Sequence, residues 1–233
     1  MLALFPEGFE EREEAGEVEL AAYTDAAGEA RLVNTFGPVA TEPVSPGWED
    51  GWRRFHRPVR VGPLWVGPPW EDADPDAVAV LIDPGRAFGT GAHATTRLCL
   101  DLLQMLEPCS LADLGSGSGV LAVAAAKLGF EPVLALDHDR AAVEAARANA
   151  AANGAAVDVR LCDVLADPLP ETEAGLANLA LGPVELLAAR FLGRILVTSG
   201  YLAHERPEAP GWRHLERREA GGWAADLLAH EPS

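Results

Sequence analysis

The chain has 233 residues, enough for one large domain or one domain with a small appendage. Acids outnumber bases 36 to 18, for a formal net charge of -18, which disfavours unaided binding to nucleic-acid phosphates and suits a basic protein partner. Three cysteines without a CxxC pair argue against a zinc site or a disulfide framework. The acidic start lacks the basic region of a signal peptide, and no apolar run reaches the roughly 18 residues of a membrane span, so no membrane role and a cytoplasmic location are expected.

Residues 1–42 carry two short runs, "EVELAAYTD" and "EARLVNTFG", linked through "DAAGEA". Read as a turn, that spacer predicts a small antiparallel hairpin. Residues 43–76 form a connector rich in Pro, Gly and Trp. It is too apolar for a disordered tether, and Trp48, Trp52, Phe55, Trp65 and Trp70 are expected to pack into an ordered bridge.

Over residues 77–233 strand and helix patterns alternate. "AVAVLIDP" reads as a strand, and "ATTRLCLDLLQMLE" as a helix with Thr95 or Thr96 at its N-cap and Leu98, Leu102, Leu103 and Leu106 on one face. "SLADLG" is a buried strand, "VLAVAAAKLG" a helix closed by Gly129, and "PVLALDHD" a strand. "RAAVEAARANAAANG" is a helix closed by Asn153 and Gly154. Strands "AAVDVRLCDV" and "AGLANLAL" follow, then the helix "PVELLAARFL" with Pro183 near its start and the strand "RILVTSG". The tail "WRHLERREAGGWAADLLAH" divides at Gly221 and Gly222 into a hairpin. This order predicts an α/β fold: a doubly wound, mainly parallel sheet with an antiparallel edge.

In such folds ligands sit beyond the carboxyl ends of the strands, at the switch point of the strand order. The loop "DLGSGSG" falls there, and Gly115, Gly117 and Gly119 let its backbone turn tightly against a ligand. Two cofactors compete for it. The dinucleotide fingerprint G-x-G-x-x-G/A, read from Gly115, needs a small third residue where Val120 stands. S-adenosylmethionine has no phosphate. Its charged amine suits Asp113, its ribose hydroxyls suit Asp137 at the end of the next strand, and its adenine amino group lies within reach of Asp163 at the end of the one after. Each aspartate alone also reads as an ordinary strand-end residue; three together, beside the glycines, favour the methyl donor.

A second glycine-rich stretch, "IDPGRAFGTGAHATTRLCL", places Thr90, His93, Thr95 and Thr96 beside Phe88. It is expected to flank the cofactor, with His93 either structural or a participant in the chemistry. "LANLAL" puts Asn178 at a strand end, where its side-chain oxygen can accept a hydrogen bond from a substrate amine; the alternative is a turn-capping Asn.

"DPGRAFGTGAHATTRLCL", "DLGSGSGVLAVAAAKLG", "LDHDRAAVEAARANAAANG" and "ANL", in this order, resemble the ribosomal protein L-eleven methyltransferase (PrmA) family of class I methyltransferases. The resemblance implies a seven-stranded Rossmann-like sheet over residues 77–233. It also implies a partial α+β substrate-recognition region over residues 1–42, in which the chain starts partway and lacks an initial strand and helix. The implied activity is N-methylation of lysine and N-terminal amines on a ribosomal stalk protein, converting S-adenosyl-L-methionine to S-adenosyl-L-homocysteine without a metal. Phe88, Thr90, Asp113, Gly115, Gly117, Asp137, Asp163 and Asn178 would hold the cofactor; Asn178, Thr90 and His93 would line the methyl-transfer site. The chain departs from the family in the short segment after "ANL" and in the loop "AHERPEAPG", which stands where a helix would precede the last strands. The alternatives are a methyltransferase of another protein or of a small molecule, and a protein that binds the cofactor without turnover.

Overall fold

A computed structural model describes residues 10–14, 17–21, 26–41, 57–83 and 91–230. The chain divides into two units, Met1–Gly51 and Trp52–Ser233. In the first, β1 (Glu10–Glu14) and β2 (Glu17–Ala21) pair antiparallel, and α1 (Ala26–Phe36) follows. The hairpin therefore lies one element earlier than the sequence predicts, and "EARLVNTFG" belongs to a helix. Its alanines, Glu29, Arg31 and Leu32 are strong helix formers, and Leu32 and Phe36 share a face at a spacing of four, so helical propensity outweighs a short alternating run.

The second unit opens with a three-stranded sheet. Its strands β3 (Val59–Val61) and β4 (Leu64–Gly67), both within the Pro- and Trp-rich connector, pair antiparallel; β4 then pairs parallel with β5 (Val78–Leu81). Trp65 is buried on β4, while Trp70 is half-buried in the turn beyond it. Trp48, Trp52 and Phe55 lie outside the described residues.

Next come α2 (Ala94–Leu103), β6 (Leu111–Leu114), α3 (Val120–Lys127), β7 (Val133–Asp137) and α4 (Arg140–Ala152). After them run β8 (Val157–Leu161), β9 (Ala174–Asn178), α5 (Leu181–Ala188), β10 (Ile195–Leu202), β11 (Trp212–Ala220) and β12 (Trp223–His230). They build a seven-stranded sheet in the order β11-β12-β10-β9-β6-β7-β8. All pairings from β10 through β9, β6 and β7 to β8 are parallel, and β12 and β11 close the edge antiparallel. The expected tail hairpin turns at Gly221 and Gly222, both at positive φ. Residues 203–211 carry no helix.

Strand alternation sends successive side chains to opposite faces. Val133 and Ala135 join one core cluster with α2, α3 and α4, whereas Leu134 and Leu136 join the other with Val184 and Leu187 of α5. The N-cap of α2 is His93, whose Nδ1 accepts from the Thr95 amide at 3.4 Å and lies 2.8 Å from Thr95 Oγ1. Thr95 and Thr96, expected as caps, are instead buried inside the first turn. Among the described residues no helix is long and apolar enough to cross a membrane.

Candidate functional site

The strand order reverses between β6 and β9: the chain runs outward through β7 and β8, then returns to the other side of β6. The carboxyl ends of β6, β7, β8 and β9 carry the glycine loop, Asp137, Asp163 and Asn178. This is where doubly wound sheets hold ligands.

The loop leaves β6 with the amides of Gly115 and Ser116 both donating to the Leu136 carbonyl, at 2.8 and 2.9 Å. Its glycines have separate tasks. At Gly115, φ is 86°, and a Cβ there would lie 2.7 Å from Leu179 Cδ2, so glycine admits the residue that follows Asn178. Gly119 opens α3 at φ 78°, and its Cβ would lie 2.9 Å from Ala146 Cβ on α4; its task is helix packing. Gly117 is fixed through its amide, which donates to Asp137 Oδ2 at 2.9 Å. Ser116 Oγ is buried and has no hydrogen-bond partner among the described residues.

Asp113 is 1% exposed and points from β6 beneath the loop, where Oδ2 accepts from the Ala122 amide at 3.1 Å. Burial pushes this carboxyl up to about 7; the Ala122 N–H opposes the rise and the Asp137 charge adds to it. Ser118 Oγ meanwhile accepts from the Val120 amide at 3.3 Å. Two of the free amides at the start of α3 are thus taken by the loop's own side chains, one of them an acid. A pyrophosphate at this helix end would meet a carboxylate already in place, whereas a cationic ligand would be attracted to it.

Asp137, at the end of β7, is held by two amides. Oδ1 accepts from Asp139 at 2.9 Å and Oδ2 from Gly117. The nearest cationic candidate among the described residues is the exposed His138, with Nδ1 at 3.6 Å. Asp163 is exposed beyond β8, and its Oδ1 accepts from the Leu165 amide at 3.0 Å in a turn. Asn178 ends β9 on the face that carries α2, and its Nδ2 donates to Thr96 Oγ1 at 3.5 Å. The β10 bulge at Gly200, φ 103°, leaves room for the Leu179 backbone, which a Cβ at that position would strike.

Asp113, Gly115, Gly117, Asp137 and Asn178 therefore converge on one end of the sheet, with Asp163 on its outer rim. His93 caps α2, the helix whose Thr96 meets Asn178, and its ring packs edge-on against Trp223 at 5.0 Å. Phe88 and Thr90 lie outside the described residues. Sequence reasoning gives Thr96, the partner of Asn178, a capping role instead, and passes over Asn149, whose Nδ2 donates to the Ser118 carbonyl at 2.9 Å. The only signal for Asn149 was a polar residue among alanines on the inner face of a helix.

A family model described as ribosomal protein L11 methyltransferase (PrmA) matches residues 9–224. A ribosomal protein L11 methyltransferase of Pseudomonas fluorescens is 42% identical over 172 residues, covering 69% of this chain and 59% of that protein. One of Symbiobacterium thermophilum is 40% identical over 203 residues, covering 79% and 66%. The crystal structure of a ribosomal protein L11 methylase from Lactobacillus delbrueckii subsp. bulgaricus superposes with a TM-score of 0.69 at 28% identity, over 76% of this chain and 100% of that one. An rRNA methyltransferase of Streptomyces viridochromogenes, 20% identical with a TM-score of 0.51 over 68% of this chain and 94% of that one, shares the fold.

Proposed function

Because the chain belongs to the ribosomal protein L11 methyltransferase family, we propose that it transfers methyl groups from S-adenosylmethionine to amines of a ribosomal protein. The matched region spans 59% of the length of the Pseudomonas fluorescens relative. The observation that carries the cofactor reading is the Asp113 carboxylate at the start of α3, bound to the Ala122 amide. It reserves the glycine loop for a ligand with positive charge and without phosphate.

In this reading residues 77–233 hold the cofactor and residues 1–42 contribute to substrate recognition. Asp137, oriented by the Gly117 and Asp139 amides, accepts the two ribose hydroxyls. Asp163 serves the adenine amino group. Gly115 and Gly117 let the loop backbone lie against the aminoacyl end, above Asp113, and Phe88 and Thr90 complete the cofactor contacts. When bound, the cofactor supplies an activated methyl group on a sulfonium that is its own leaving group.

The protein's part is then chiefly positioning. A lysine amine has an ordinary pKa near 10.4, so at pH 7 about one in 2500 is neutral and nucleophilic. Desolvation at the end of β9, beside Leu179, lowers that pKa. Asn178 is anchored through Nδ2 to Thr96, which leaves Oδ1 to accept from the amine and direct its lone pair. Thr90 and His93 line the same site, and the leaving proton passes to water. The acidic balance of 36 to 18 favours encounter with a basic ribosomal protein in the cytoplasm.

Label transfer tests this reading. The purified chain is mixed with methyl-labelled S-adenosylmethionine and either ribosomal proteins or a metabolite extract. Label in a single ribosomal-protein band is expected. Label confined to metabolites would replace the substrate class, and no label in either mixture would leave a binding protein without turnover.

A further inference from the structure

Asn149 on α4 and Asn153, the C-cap of that helix, stand one turn apart, and both carboxamides reach the backbone at the end of β5. β5 is an edge strand, so part of its backbone has no neighbouring strand to pair with. Asn153 stands in for one: its Oδ1 accepts from the Leu81 amide at 2.9 Å and its Nδ2 donates to the Leu81 carbonyl at 2.6 Å. Asn149 does something different with the same chemistry. Its Oδ1 accepts from the Asp83 amide at 3.0 Å, while its Nδ2 donates to the Ser118 carbonyl at 2.9 Å. One side chain, 3% exposed, thus joins the end of β5 to the middle of the glycine loop.

The loop is consequently held from two directions. Asp137 fixes the Gly117 amide from the end of β7, and Asn149 fixes the carbonyl of the next residue from α4. Gly119, pressed against Ala146 on the same helix, completes the seating of the loop on α4. The backbone of a loop with three positive-φ glycines has little stiffness of its own, so these side-chain anchors decide where its peptides lie.

We infer that Asn149 is a positioning residue of the cofactor loop, setting its backbone against β5 so that the cofactor meets it in register, while Asn153 serves the strand and, through the Asn149 carbonyl at 2.8 Å, the last turn of α4. This rests on the reading of that loop as the seat of S-adenosylmethionine. Asn149→Ala leaves the Ser118 carbonyl and the Asp83 amide without this partner; Asn153→Ala leaves the Leu81 groups without theirs and does not touch the loop.

The two variants form the test, with calorimetric titration of S-adenosylmethionine and thermal unfolding measured on each. The wild-type chain binds. Asn149→Ala raises the dissociation constant about tenfold, the scale of one lost buried hydrogen bond, while Asn153→Ala lowers the melting temperature and changes the dissociation constant by less than about twofold. Equal affinity in Asn149→Ala and wild type overturns the inference and leaves the cofactor reading standing; no binding to the wild-type chain removes both. Hydrogen exchange on the wild-type chain covers a variant that does not fold. Added S-adenosylmethionine slows exchange at the Asp83 amide, at the far end of the bridge, and unchanged exchange there overturns the inference.

Discussion

Asp113 and Asp226 are buried on opposite faces of the same sheet, and their carboxylates are satisfied in different ways. Asp226, fully enclosed on the α5 face, is met by Arg217 Nη1 at 2.7 Å, the Tyr201 hydroxyl at 2.7 Å and His214 Nε2 at 2.5 Å. Burial pushes the Tyr201 phenol up, so it remains a neutral donor. Arg217 also donates to the carbonyls of Ala203 and Glu205, which holds the loop after β10. Asp113, on the face of α2 to α4, is as deeply buried but pairs with one backbone amide and, among the described residues, with no Arg or Lys. An acid completed by its own cation needs nothing further. An acid buried at a helix end without one resists ionising, and a cationic ligand would favour its charged form; in the proposed reading that asymmetry separates a structural face of this sheet from a binding face.

Breaking the completed network should have the largest effect. Arg217→Ala leaves Asp226 buried without its cation and should cost about 3–5 kcal/mol of stability, read by denaturant unfolding. Cofactor affinity, measured where the variant is still folded, should not change; a parallel loss of affinity would mean that the two faces are not independent. Asn178→Ala comes next. It should retain cofactor affinity and lower the methyl-transfer rate about 100-fold, the scale of a misplaced nucleophile, and equal turnover would remove Asn178 from the mechanism.

The pH response of Asp113 is the smallest of these effects and the most specific to the binding face. Its folded pKa of about 7 lies above its unfolded value, so between roughly pH 4 and 7 the folded chain holds a proton that the unfolded chain has released. Its contribution therefore makes stability fall as pH rises through that window. A cationic ligand prefers the ionised form, so affinity for S-adenosylmethionine should rise with pH, by at most about tenfold between pH 6 and 8. Asp113→Asn should flatten both trends; a profile identical to wild type would show that Asp113 does not face the ligand charge.

Most of the α/β alternation was legible in the sequence because each element carries its own period and its own stop: Gly129 after α3, Gly154 after α4, and Gly221 with Gly222 between β11 and β12. The carboxyl-end residues were legible for the same reason, since a strand end can be located without knowing its neighbours. The first unit was misread where a run of nine residues fits both periods and helical propensity decides. The roles of Asn149 and Thr96 were not legible. Their partners lie 31, 66 and 82 residues away in sequence, so the hydrogen bonds exist only once the strand order brings them together. The Asp226 network was hidden likewise, because strand register alone sets Asp226 opposite both Thr198 and Arg217.

The most direct measurement is calorimetric titration of the purified chain with S-adenosylmethionine and, separately, with NAD, repeated on Asp137→Ala. The expected result is binding of S-adenosylmethionine alone, weakened at least about tenfold in the variant as its ribose loses a charged acceptor. Binding of NAD with comparable affinity, or an unchanged dissociation constant in Asp137→Ala, would contradict the assignment of this sheet end to the methyl donor.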